Sequence, residues 1–381
     1  MKTSPLQYHV ENRHATWLEL FFDLVFVASI GIVTHNLAHT HDGHIEFKQF
    51  WLFPVEFIPV WWIWATHTLY ANRFDTDSRQ HRMISLLIMF LLVTMSAFLG
   101  EALFDHYDRF IIFYTGIRII LAILYFSSEN KLDDSSKFAI VIGWRTIAGA
   151  VISGTSLFAE EPYRYVLLIG GIVFEMVISS AIGTKLVDTD PIHREHLVER
   201  IGLLTIILLG ESVISLVNSL QGTSWNLENT IASASGFLII GTIWWIYFDN
   251  FDVLERLKSL KHGFLLIYSH LLLAMGLVIL ANLIRHAILS DLGMHDFRLL
   301  SIIGMVLFYL GLHTVFFEAL PTFRMNLILN SVVPIGITTV STFLPTPTHA
   351  LLGMLFGLLV YSFMGLRLTG TKNIDCYLET K

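Results

Sequence analysis

The chain has 381 residues, 54% of them hydrophobic and 14% charged, with a formal net charge of −7. A soluble domain carries about 25% charged residues, so this composition excludes an ordinary soluble fold and points to a polytopic membrane protein in a lipid bilayer. The charge is spread through loops with no basic stripe, which argues against a nucleic-acid partner, and the single cysteine, Cys376, rules out an intrachain disulfide.

The first sixteen residues hold no apolar core followed by a cleavage site, so the first span itself is expected to direct insertion. That span, 17–39, is long enough to cross a bilayer. It is followed by apolar runs at 50–72, 83–104, 109–127, 137–158 and 163–187. The second half supplies 196–220, 228–251, 262–289, 297–319, 325–344 and 347–368. The expected fold is all-α, a bundle of about twelve transmembrane helices. Most Lys and Arg fall on the side that holds both termini, which places the tails 1–16 and 369–381 in the cytoplasm.

The two halves resemble each other. Trp17-Leu18-Glu19-Leu20 aligns with Leu197-Val198-Glu199-Arg200, and Trp61-Trp62-Ile63-Trp64 with Trp244-Trp245-Ile246-Tyr247. Met95 aligns with Met275, and Gly171 and Gly183 with Gly353 and Gly365, all at nearly one offset. The expectation is two six-helix repeats, 17–187 and 188–368. An even number of helices per copy gives both the same orientation.

Charge inside the spans is the functional signal. Glu19 and Asp23 are four residues apart, roughly 40° around a helix, and share a face. Each costs at least ~2.5 kcal/mol at membrane depth unless paired or used. The repeat separates them: Glu19 is matched by Glu199, whereas Asp23 is matched by Leu203. Glu211 faces Gly31 in the alignment, and Glu175 faces Gly357. Asp23 and Glu211 are therefore the sharper candidates for an ion or proton path, with Glu19 and Glu199 as register-setting or gating partners. Arg118 and Arg145 are the candidate intramembrane cations. The alternative for all of them is a lattice of buried salt bridges that fixes helix register. Glu175 sits in a stripe with Gly171, Ser179 and Gly183, a spacing that lets helices approach closely. His67 and His270 lie in or beside apolar spans, as proton relays or as hydrogen-bond partners of neighbouring helices.

Two further clusters lie at span ends. His35, His39, His41 and His44 have a spacing that suits a divalent transition metal, against the plainer reading of solvated loop histidines. Asp75 and Asp77, with Arg82 after them, form a charged connection that either gates a path or is simply solvated. No other cofactor is implied. The sequence has no GxxxxGK[ST], HExxH or GxSxG motif, so ATP-driven transport and the familiar hydrolases lack support.

The run from Leu18 through Glu19, Asp23 and Val27 resembles the opening signature of the bacterial low temperature requirement A (LtrA) family. Glu199-Arg200-Ile201-Gly202-Leu203, leading to Leu209-Gly210-Glu211-Ser212, resembles its second motif. Phe74-Asp75-Thr76-Asp77 with Arg82, and His270, also fit the family's pattern. Ile201 departs from it, standing where the family commonly has an aromatic. The resemblance spans nearly the whole chain and implies a multi-pass protein of the bacterial inner membrane. The function expected from the carboxylates is proton- or ion-linked transport or channel-like conduction. An intramembrane enzyme acting on a lipid-soluble substrate, and a non-transporting sensor or scaffold, are the alternatives.

Overall fold

The computed structural model describes residues 13–74, 78–128, 134–186, 192–221, 223–256 and 263–368. Asp75, Asp77 and Cys376 lie outside the described residues. Thirteen α-helices occur among them, and no strand. They are α1 Trp17–Leu37, α2 Phe47–Phe74, α3 Arg79–Ser96, α4 Ala102–Asp105, α5 Tyr107–Ser127, α6 Asp134–Gly154 and α7 Tyr163–Leu186. The rest are α8 Arg194–Leu220, α9 Leu227–Arg256, α10 Phe264–Leu289, α11 Met294–Ala319, α12 Arg324–Ser341 and α13 Pro347–Leu368. Among the described residues, nine helices are long and apolar enough to cross a membrane: α1, α5, α6 and α8 to α13. Helices are the economical answer there, because each satisfies its own backbone hydrogen bonds without water.

The run 83–104 is not one helix. α3 stops at Ser96, and the chain turns at Gly100 (φ +75°) before the short α4. Hydropathy barely marks this break, because Ala97, Phe98 and Leu99 before the turn are themselves apolar. The ends of two helices are set by side chains. Ser78 caps α3 by accepting the His81 N–H at 3.2 Å. Thr16 and Glu19 form a reciprocal capping box on α1: Glu19 N–H donates to Thr16 Oγ1 (3.3 Å) and Thr16 N–H to Glu19 Oε2 (2.8 Å).

Two compact units divide the chain. The first comprises 1–36, 51–204 and 261–264; the second comprises 37–50, 205–260 and 265–381. In the first, α6 lies between α5 and α7, and α3 packs on α5. α6 and α7 come close because a Cβ at Gly171 would strike Ser153 and the Gly149 carbonyl. In the second, α12 packs on α13, α11 on α12, and α9 on α13. Gly353 lies against Ser341 there, and Gly357 against the Pro334 carbonyl.

Candidate functional site

The densest buried charge lies in the first unit. Glu19 and Asp23 of α1 project from one face, as their spacing requires, and are 1% and 0% exposed. They meet His196 and Arg200, also four residues apart, from the first turns of α8. Two i, i+4 pairs thus face each other, acids on one helix and nitrogen bases on the other. Arg200 pairs with Asp23 and, at 3.4 Å, with Glu19. Trp64 Nε1 of α2 donates to Asp23 Oδ1 at 2.7 Å. Asp23 Oδ2 has no hydrogen-bond partner among the described residues.

Glu19 is more heavily bonded. Its Oε1 accepts from Arg13 and Arg200, each at 3.4 Å, and its Oε2 from Thr16 and from His196 Nε2 at 3.2 Å. The His196 tautomer follows from its neighbour. Asn72 Oδ1 accepts the His193 N–H (2.9 Å), so the Asn72 amine points at His196 Nδ1 (3.0 Å) and leaves Nε2 to carry the proton toward Glu19. Arg13 also donates to the carbonyls of Ala71 and Asn72 (3.0 and 2.9 Å), in the last turn of α2, where a cation suits the helix dipole. The centre therefore holds two carboxylates, two guanidiniums and one neutral imidazole.

A second centre in the same unit joins α5, α2 and α7. Arg118, 0% exposed, pairs with Glu175 and donates to Thr66 Oγ1 at 2.5 Å. Trp62 and Arg145 lie within electrostatic reach of Glu175. A glycine on the facing helix explains how an acid fits there: Gly149 of α6 leaves the room that the carboxyl occupies. Arg118 is thus engaged by Glu175.

The other candidates are dispersed. Glu199 turns outward, its side chain 34% exposed, toward His14 (3.3 Å) and the Ala15 N–H (3.3 Å). Glu211 is half-buried in mid-α8 and makes no hydrogen bond or ion pair among the described residues. Arg82 is exposed. The second unit buries neutral groups instead. His270 Nδ1 donates to the Leu266 carbonyl (2.8 Å), so its Nε2 accepts from Tyr247 Oη (3.1 Å). A small pocket opens beside them, lined also by Asn250, Phe251, Leu312 and Phe316. Next to it runs a chain across four helices. Asn250 donates to Tyr361 Oη (3.4 Å), Tyr361 to His313 Nε2 (2.9 Å), and His313 Nδ1 to Ser331 (2.7 Å). Ser331 in turn donates to the Leu327 carbonyl, which fixes the direction of the whole chain.

The histidine cluster is a docked turn. Asp42 and Gly43 have φ of +51° and +79°, and His41 and His44 exchange N–H···O bonds of 2.8 and 2.9 Å, the geometry an Asp-Gly pair favours. His44 Nδ1 lies 3.1 Å from Asp296 Oδ2, and Gly293 N–H donates to the Gly43 carbonyl at 2.7 Å. Among the described residues, no three His, Cys, Asp or Glu side chains converge as a metal would require.

Long apolar helices with buried ionic centres define an integral, multi-pass membrane protein. The chain belongs to the bacterial low temperature requirement A (LtrA) family, whose model matches residues 14–361. It is also similar to the uncharacterized protein RA0937 of Rhizobium meliloti (strain 1021), with 26% identity over 330 residues. The match covers 80% of this chain and 77% of that protein.

Proposed function

We propose that this protein is a proton- or ion-linked transporter, or a channel-like conductor, of the bacterial inner membrane. In this reading twelve helices form two repeats of like orientation, with both termini cytoplasmic. The observation that carries it is the Glu19–Asp23–Arg200–His196 centre. Such a centre is a poor device for stability, since well-packed apolar residues serve as well or better. It is a good device for exchange. A proton or cation that takes over one carboxylate frees Arg200, and Asp23 offers an oxygen that no described residue occupies. Glu211, which pairs with no cation among the described residues, is the second acid of the proposed path.

Flux in proteoliposomes tests this. Wild-type protein is expected to pass protons or a monovalent cation, and Asp23→Asn and Glu211→Gln to abolish that flux. Glu211→Gln is expected to leave folded yield intact, because Glu211 makes no hydrogen bond or ion pair among the described residues. Absence of wild-type flux for every ion tried would sink the reading. The scaffold reading draws its support from Arg118 and Glu175, which are held as a register-setting lock would be.

A further inference from the structure

α2 carries another buried acid. Glu56 lies between Pro54 and Pro59 and is 2% exposed. Among the described residues its carboxyl meets neutral groups: Oε1 accepts the Gly100 N–H at 2.7 Å, and Oε2 lies 3.4 Å from Asn36 Nδ2. It forms no ion pair among the described residues. The other two buried acid centres of this unit each hold arginine. An ionised carboxylate out of water, with two neutral donors and no cation, is strongly disfavoured against its neutral acid.

The surroundings are built for this carboxyl. Gly100 sits at φ +75°, a conformation open to glycine, and a Cβ there would collide with the Asn36 side chain. Asn36 suits either state of its partner. Turned one way, its amine donates to a carboxylate; turned the other, its carbonyl accepts from a carboxylic O–H. The facing titratable groups are engaged or remote. Tyr165 of α7 donates to Glu161 (2.9 Å) and accepts from Arg164 (3.2 Å). His35, beside Asn36, and Glu101, beside Gly100, are exposed.

We propose that Glu56, Asn36 and Gly100 form a proton-binding site, in which Glu56 carries a dissociable proton at neutral pH and Asn36 turns as the proton leaves Oε2 for water. Its part in flux rests on the proton-linked reading above; its protonation does not.

Infrared spectroscopy of the full-length protein in lipid vesicles at pH 7 tests it. The difference spectrum of wild type minus Glu56→Gln is expected to contain the carbonyl stretch of a protonated carboxyl, sensitive to deuterium exchange. Carboxylate stretches in its place would overturn the proposal. If Glu56→Gln is not recovered folded, Asn36→Leu serves, and the same band is expected to shift as its hydrogen bond is lost. An unmoved band would likewise overturn it. A Glu56 carbonyl band in a protein that passes no ions upholds the site while removing the transport reading.

Discussion

Trp61-Trp62-Ile63-Trp64 in one unit and Trp244-Trp245-Ile246-Tyr247 in the other have nearly the same sequence and opposite surroundings. In the first run all three indoles are buried, at most 1% exposed; in the second, Trp244 and Trp245 are 51% and 61% exposed. The difference follows what each unit buries. The first buries carboxylates that need donors, and the run supplies one: Trp64 Nε1 to Asp23. The second pairs imidazoles with phenols, and of the aromatic rings in its run only Tyr247 turns inward, to His270. An aromatic motif on an apolar helix therefore does not set which face is buried. The polar groups that require partners do.

The sharpest way to break this contrast is to remove Arg200. Arg200→Met leaves Glu19 and Asp23 short of a cation, and breaking a buried pair from one side costs about 3–5 kcal/mol. The measurement is thermal unfolding in detergent. Tyr361→Phe is the counterpart in the second unit. It leaves His313 Nε2 without its donor, a neutral loss expected to cost about 1–3 kcal/mol. If Arg200→Met costs no more than Tyr361→Phe, the α1 acids are already neutral and the two units do not differ in kind.

How much of this could be read beforehand depends on the signal. Helices of spanning length declare themselves by hydropathy, and Glu19 and Asp23 by being acids in such a run. Their partners were harder. His196 and Arg200 show the matching four-residue spacing, and Thr16 with Glu19 the capping-box pattern, so both signals are present in the sequence. Arg13 lies before the first span and acts through a fold-dependent contact, for which no local pattern exists. Glu56 stands between Pro54 and Pro59, and no residue at helical spacing marks it as part of a site. Alignment of the two halves equated Glu19 with Glu199, yet one is buried in an ionic centre and the other half-exposed at the chain's entry to α1. A matched residue type does not carry with it the neighbours that decide whether an acid is charged, paired or free.

The smallest expected effect refines the contrast at the rim of the second unit, where charge does occur. Asp291 lies between α10 and α11, 2.6 Å from His286 Nδ1 and 3.2 Å from Arg285 Nη1, and Arg285 also donates to the Ala38 carbonyl (2.8 Å). Burial alone would raise the Asp291 carboxyl. The hydrogen bond and charge of His286, helped by Arg285, outweigh it and hold the carboxyl below its ordinary value of 3.8. A depressed carboxyl stabilises the fold above its unfolded value and loses that contribution as pH falls through the folded one. Asp291→Asn should therefore lower the unfolding temperature at neutral pH, by the equivalent of at most about 1 kcal/mol for so open a pair. The gap to wild type should close as pH drops below 3.8. A gap that stays constant into acid would mean that Asp291 serves through packing alone, and that the second unit keeps its charge-free character out to its loops.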